Sequence, residues 1–203
     1  MPKVVMLLSN PFRPDVRVFE EAKTLVERGY EVEIIAWDRD GKLKPHEEID
    51  RILVRRIGPR ALYGSLISHI SNLPRFWRRC FSDAIRADFD VLHVHDLDTL
   101  FPGVLISRLK RIPLVYDAHE SYGLMIEGSG APKWMGRLLD RFEEFLVPFT
   151  TNVIVVNPNW RNPRVYRGIY PAFEKGKITE PYLIMNCREL SGPPRTYPKN
   201  ALR

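Results

Sequence analysis

His119 follows Ala118 and precedes Glu120, with Asp117 two residues earlier, so an imidazole and two carboxylates share four consecutive positions. At neutral pH an imidazole can donate or accept a proton, which suits contact with a reacting hydroxyl. A second polar run is His95-Asp96-Leu97-Asp98-Thr99, and a third runs from Asn10 to Arg17 through Arg13 and Asp15. Tyr122 adds a phenol three residues after His119. Gathered in one crevice, such carboxylates and a histidine bind hydroxyl-rich ligands and move protons.

Each group also has a plainer role open to it. Asp15 and Asp98 both precede helical stretches, where a carboxylate caps free N–H groups. Glu20 and Glu21 open the first helix and would stabilise its macrodipole. Arg17 can pair with a neighbouring carboxylate instead of a ligand. His93 alternates with His95, so His93 is expected against a helix layer and His95 at the crevice edge. His119 can also bond a local backbone carbonyl, but its place just past a strand favours function.

The elements that position these groups follow from hydrophobic period. Val4 to Leu8 is an apolar run that suits a parallel strand buried on both faces. Val18, Ala22, Leu25 and Val26 then form one helical stripe, with Gly29 as its stop. Residues 31–37 and 51–57 read as the second and third strands. Residues 63–87 read as a helix broken by Pro74. The fourth strand is Val91 to His95, followed by a helix from about Asp98 to Lys110, then a fifth strand from Ile112 to Tyr116. A helical stripe from Trp134 to Leu146 and a sixth strand, Val153 to Val156, complete the alternation. Alternation of this kind predicts an α/β doubly wound parallel sheet of order 3-2-1-4-5-6, with helices on both faces. Ligands of such sheets bind beyond the carboxyl ends of the strands, where the strand order reverses. That rule brings the three polar loops together.

After Asn157 the pattern decays. The expected division is a domain over 1–158 and an irregular tail and linker over 159–203, with Tyr182 to Met185 as one more short strand. Ser191 to Arg203 reads as a linker or frayed tail.

Several chemistries lack their motifs. The first strand–helix turn, Asn10-Pro11-Phe12-Arg13-Pro14-Asp15, carries no Gly-x-Gly-x-x-Gly. No P-loop, nucleophile elbow or zinc motif is present, so no metal and no cofactor is expected. Cys80 and Cys187 fit no redox or metal pattern and are expected as free thiols. The chain has 203 residues, 44% of them apolar, which suits one domain with a real core. Its 31 basic residues exceed the 25 acidic ones, and a net charge of +6 favours anionic partners over cationic ones. The bases are scattered and no stacking platform is visible, so nucleic acid is not an expected partner. No stretch approaches the roughly 20 apolar residues of a membrane span.

Asp15-Val16-Arg17-Val18-Phe19-Glu20-Glu21-Ala22, continuing through Leu25 and Gly29-Tyr30-Glu31-Val32, resembles the opening of group 1 (family 4) glycosyltransferases. Val91 to Asp96 resembles the family's fourth-strand motif, Val115 to Glu120 its fifth-strand motif, and Val153 to Pro158 the last strand of its first domain. The resemblance covers about residues 3–158, in order. It implies a single Rossmann-like domain equivalent to the amino-terminal half of a GT-B enzyme. In that architecture the first domain holds the acceptor and the second most of the sugar nucleotide, and transfer retains anomeric configuration without a metal. By resemblance, His119 is the catalytic histidine that contacts the transferred sugar. Asp96 and Asp98 fall where such enzymes meet the acceptor, with Glu120 and Tyr122 further along the His119 loop. Asp15 and Arg17 fall where relatives carry a Gly-rich loop near the donor phosphates. Those glycines are absent here, and Arg13 or Arg17 is expected to substitute by charge. The paired glutamates of the donor domain are also missing, so the chain is expected to need a donor domain in cis or trans and to be inactive alone.

Pro74 to Phe81 interleaves bases and aromatics. Arg75, Trp77, Arg78 and Arg79 are candidate contacts for an anionic membrane surface, since some family members reach lipid-linked acceptors through such a helix. The alternative is a helix with Phe76 and Phe81 in the core and its arginines in water. A cytoplasmic location at the inner face of the membrane is the matching expectation. Two rival readings remain: a non-catalytic acceptor- or membrane-binding subunit of a split transferase, and half of a sugar-nucleotide epimerase.

Overall fold

Consecutive apolar residues on the first strand must bury two opposite faces, and they do. In the computed structural model, which describes residues 1–184 except Pro14, Tyr63 and the Leu66 side chain, Lys3–Leu8 forms β1. Val4, Met6 and Leu8 pack into one core beneath α1 (Val16–Glu27), with Val18 and Ala22. Val5 and Leu7 pack into the core on the other side. The period of two along a strand causes this split.

The chain continues through β2 (Glu31–Trp37), β3 (His46–Ile49), β4 (Ile52–Ile57), α2 (Leu66–Arg86), β5 (Val91–His95) and α3 (Leu97–Lys110). Then come β6 (Leu114–Ala118), α4 (Tyr122–Gly128), α5 (Lys133–Leu146), β7 (Asn152–Val155), α6 (Ile169–Glu174) and β8 (Tyr182–Leu183). The sheet order is β3-β4-β2-β1-β5-β6-β7-β8. Its six central strands reproduce the expected 3-2-1-4-5-6 order, all in parallel.

Local signals fix several ends. Gly29 has φ of 87°, its N–H bonds Val26 O, and Tyr30 N–H bonds Leu25 O, each at 3.1 Å. That is a Schellman close, which needs a residue free to turn left-handed. Gly103 lets α3 lie directly on the sheet, because a Cβ there would stand 2.6 Å from Val94 Cγ1.

Three expectations need correction. Pro74 does not break its helix: α2 runs through it, because Phe76, Cys80 and Ala84 recur one turn apart and are fully buried. Burial of that stripe outweighs one lost backbone bond. The antiparallel β3 was not anticipated. Its strand is polar, and its hairpin to β4 turns on Asp50 and Arg51, both at positive φ, in place of the usual Asn-Gly. Residues 159–184 are not an irregular tail throughout. Trp160, Tyr166, Ile169 and Ala172 enter the core, while β8 pairs with β7 where one more short strand was expected. Tyr166 donates to Ala118 O at 3.1 Å, so this segment is tied to the end of β6. Cys187, the end of the segment expected as a crossover and the tail from Ser191 lie outside the described residues.

One buried carboxyl makes stability depend on pH. Glu143 on α5 is 1% exposed and accepts from Tyr116 Oη at 2.5 Å. Burial pushes its carboxyl up to about 7 from an ordinary 4.5, although the Tyr116 bond opposes the rise. Between those values the folded chain binds the extra proton, so stability falls as pH rises from about 4.5 to about 7. The loss is about 3 kcal/mol in order of magnitude. Glu143→Gln should flatten this part of the curve in urea titrations at a series of pH values. An unchanged slope would assign the pH dependence elsewhere.

Candidate functional site

The carboxyl ends of β5 and β6 point into the space beneath the first turns of α1. Asp15 sets the start of that helix: its carboxylate accepts from Val18 N at 3.2 Å and from Asn10 Nδ2 at 2.8 Å. Asn10 Oδ1 in turn accepts from Phe12 N, and Phe12 sits at φ of 53° with its ring buried. A left-handed non-glycine residue is held there by its packing. The capping role weighed for Asp15 is thus the one its contacts fill.

Arg17 leaves α1 towards β6. Its Nη2 donates to Asp117 Oδ1 at 2.5 Å and Oδ2 at 2.7 Å, and its Nε to Glu21 Oε1 at 3.0 Å. Asp117 is fully buried. Its Oδ2 also stands 3.4 Å from His119 Nε2 and 3.6 Å from His95 Nδ1. The two imidazole nitrogens are 3.1 Å apart, close enough to share a proton. His119 N–H reaches Asp96 Oδ1 at 3.3 Å. Arg17, Asp96, Asp117, His95 and His119 therefore form one connected cluster.

Its electrostatics have identifiable causes. Burial alone would raise the Asp117 carboxyl, but hydrogen bonds from His119 and His95 hold it well below the usual carboxylate range. Burial alone would lower His119, yet its bond to Asp117 and the nearby Asp96 raise it to about 9, so it is charged at neutral pH. Burial pushes Asp96 up to about 7 against the pull of His119. His93 is driven well below its usual range by burial and by His95, and stays neutral. His119 combines this network with access, its side chain being 22% exposed. A ligand in the crevice would meet a cationic imidazole backed by buried charge.

Asp96 also bears backbone strain. Its φ of 65° and ψ of 164° belong to a region that essentially only glycine visits. Its N–H bonds Asp117 O at 2.9 Å, and Thr99 Oγ1 holds the preceding carbonyl, His95 O, at 2.5 Å. Strain of this kind costs about 1–3 kcal/mol and collects at functional sites. Asp96→Gly should therefore stabilise the fold by about 1 kcal/mol in urea denaturation while removing the carboxylate. A destabilised variant would show that the side-chain contacts outweigh the strain.

The other sequence candidates lie elsewhere. Asp98 is no cap. It lies in the first turn of α3, buried, and accepts from Tyr122 Oη at 3.1 Å, with His69 Nε2 at 3.4 Å. Asp98, Tyr122 and His69 thus make a second cluster, separate in its contacts from that of His119. Glu120 is exposed. Trp77 turns inward: its Nε1 donates to Asp98 O at 2.6 Å and its ring packs on Phe101. It is half-buried against the core, whereas Arg75, Arg78 and Arg79 are exposed. His93 and His95 do not part to different surroundings. Residues two apart on a strand share a face, and their rings stack at 4.3 Å. Glu21, read as a helix-dipole residue, joins the cluster through Arg17; the i, i+4 spacing was the signal for that pair.

A family model described as Glycosyltransferase Family 4 matches residues 15–163. No curated protein sequence matches the chain. Among solved structures, sucrose-phosphate synthase from Thermosynechococcus elongatus aligns at a TM-score of 0.65 and 11% identity, over 90% of this chain and 47% of that one. A UGT transferase from Siraitia grosvenorii in complex with UDP aligns at 0.53 and 12%, over 90% and 50%. Phytolacca americana UGT2, complexed with UDP-2-fluoro-glucose and pterostilbene, aligns at 0.51 and 13%, over 90% and 52%. At these identities the likeness shows the fold alone. The chain spans about half the length of each.

Proposed function

We propose a function that proceeds from one premise: this chain belongs to glycosyltransferase family 4. It acts as the acceptor-side domain of a retaining, sugar-nucleotide-dependent transferase and works only with a donor domain, supplied in cis or in trans. The observation that carries this reading is the meeting of Arg17, Asp96, Asp117 and His119 at the carboxyl ends of β5 and β6. That place adjoins the β1–β5 switch in strand order, where ligands of doubly wound sheets bind. His119 touches the transferred sugar or the hydroxyl that attacks it, and Asp96 accepts from an acceptor hydroxyl. Asp117 and His95 hold the His119 ring in place, and Asp117 and Asp96 keep it charged.

Transfer from UDP-sugars tests the reading, first with the chain alone and then with a separately supplied donor domain of a relative. Transfer only in the mixture supports it. Transfer by the chain alone would place the donor site within these residues and sink the half-site assignment. Saturable acceptor binding without transfer would favour the non-catalytic subunit, and interconversion of the UDP-sugar itself the epimerase half.

A peripheral contact with an anionic membrane surface is the second reading. Arg75, Arg78 and Arg79 are exposed on α2, and Ile67, 82% exposed on the same helix, takes the apolar role expected of Trp77. No described helix is long and apolar enough to cross a membrane. Sedimentation with anionic vesicles should fall in Ile67→Asp and in high salt. Equal sedimentation with neutral vesicles would remove the electrostatic part of this reading.

A further inference from the structure

We propose that Glu21, His93, His95 and Asp117 form a binding site for one divalent transition-metal ion such as Zn²⁺ or Co²⁺, beneath α1. This does not rest on the transferase reading. One ligand atom from each of the four lies within 4.8 Å of the others. A tetrahedral ion with bonds near 2.1 Å needs its ligands about 3.4 Å apart, so each atom has to close by less than about 1 Å. Two imidazoles and two carboxylates are a borderline nitrogen–oxygen set that suits these ions.

A second observation points to a ligand. Glu21 Oε2, His93 Nε2 and His95 Nε2 are buried and have no hydrogen-bond partner among the described residues. His93 and His95 are 6% and 2% exposed, and buried polar atoms of native proteins are nearly always partnered. Three orphaned ligand-type atoms in one cluster mark a place built for something further. The site has no sequence motif because its ligands come from α1, β5 and β6, which are distant in the chain.

Arg17 competes with the ion. Its guanidinium already serves Asp117 and Glu21, the two carboxylates that the ion would take. The ion's affinity is therefore set against this ion pair, and weakening the pair should strengthen metal binding. His119 and Asp96 lie outside the ligand set, with His119 bonded to Asp117 and standing at the crevice side. Occupancy would draw Asp117 away from Arg17 and shift the support of His119.

Co²⁺ titration of the chelator-stripped chain, followed by its visible ligand-field absorption, tests the proposal, with calorimetry for Zn²⁺. The expected result is saturation at one ion per chain. His93→Gln and His95→Gln should each weaken binding by roughly 100-fold, while Arg17→Gln should strengthen it by roughly tenfold. His46→Gln, at an exposed histidine on β3, should leave it unchanged. Far-UV circular dichroism checks that each variant folds. If the histidine variants do not fold, paramagnetic shifts of the His93 and His95 ring signals in the wild-type chain on adding Co²⁺ decide instead. Absence of saturable binding in both the wild type and Arg17→Gln would overturn the site. So would wild-type affinity in a folded His93→Gln, or unshifted His93 and His95 rings.

Discussion

His119→Ala should lower the turnover of the domain paired with its donor half by roughly 10²- to 10⁴-fold, the usual range for a positioned proton-transferring or hydrogen-bonding group. The fold should survive. The ring is 22% exposed, and its removal takes no apolar side chain from either core. Asp117 keeps Arg17 at 2.5 and 2.7 Å, so its buried charge is still paired when the imidazole is gone. The loss should fall mainly on kcat, because a contact made at the reacting centre is stronger in the transition state than in the bound substrate. His119→Gln, which keeps a donor but not the charge, should recover part of it. Turnover unchanged by His119→Ala would reduce this residue to a structural role and move the site elsewhere on the sheet edge.

Arg17→Ala should destabilise the folded chain by about 3 kcal/mol, the low end of the cost of breaking a buried ion pair, because the charged His119 still stands beside Asp117. Asp117 would remain fully buried beside Glu21, with His119 as its remaining cationic partner. Burial already raises Glu21, and Asp117 raises it further, so the two carboxylates repel each other once Arg17 is absent. Arg17→Lys should cost less, since the charge stays while the planar fork that spans both carboxylates is lost. Urea denaturation of the two variants measures the difference. Equal stabilities for Arg17→Ala and wild type would mean that His119 alone suffices to support Asp117.

These expectations show how differently the two levels of structure are encoded. The central sheet was legible because each strand is a short apolar run and each covering helix carries a stripe of period 3.6. Val4 to Leu8 and Val91 to His95 had to be buried on both faces, and only a parallel sheet between two helix layers does that. Elements without such patterning were not legible. β3 is polar and its turn uses Asp50 and Arg51. The stretch from Trp160 to Ile178 has weak periodicity, yet its aromatic residues pack on β6 and β7. Pro74 suggested a break that the burial of Phe76, Cys80 and Ala84 overrides.

The same limit applies to the candidate site. Sequence alone determined that a doubly wound sheet would gather polar loops at its carboxyl edge, since strand order and the handedness of crossovers follow from the alternation of elements. It also determined the identity of the groups available there, among them Arg17, Asp96, Asp117 and His119. Which of them touch was decided only by the tertiary structure. Arg17 and Asp117 are 100 residues apart, and their contact depends on where the first turn of α1 stands relative to the end of β6. Asp98 and Tyr122 were counted with His119, but the first turn of α3 sends them to His69 on α2 instead. Side-chain direction varies by about 100° per helical residue and 180° per strand residue. Two positions at the start of α3 therefore separate the crevice carboxylate Asp96 from the core carboxylate Asp98. Period and composition carry the fold, whereas the meeting of particular atoms is settled by packing between elements distant in the chain.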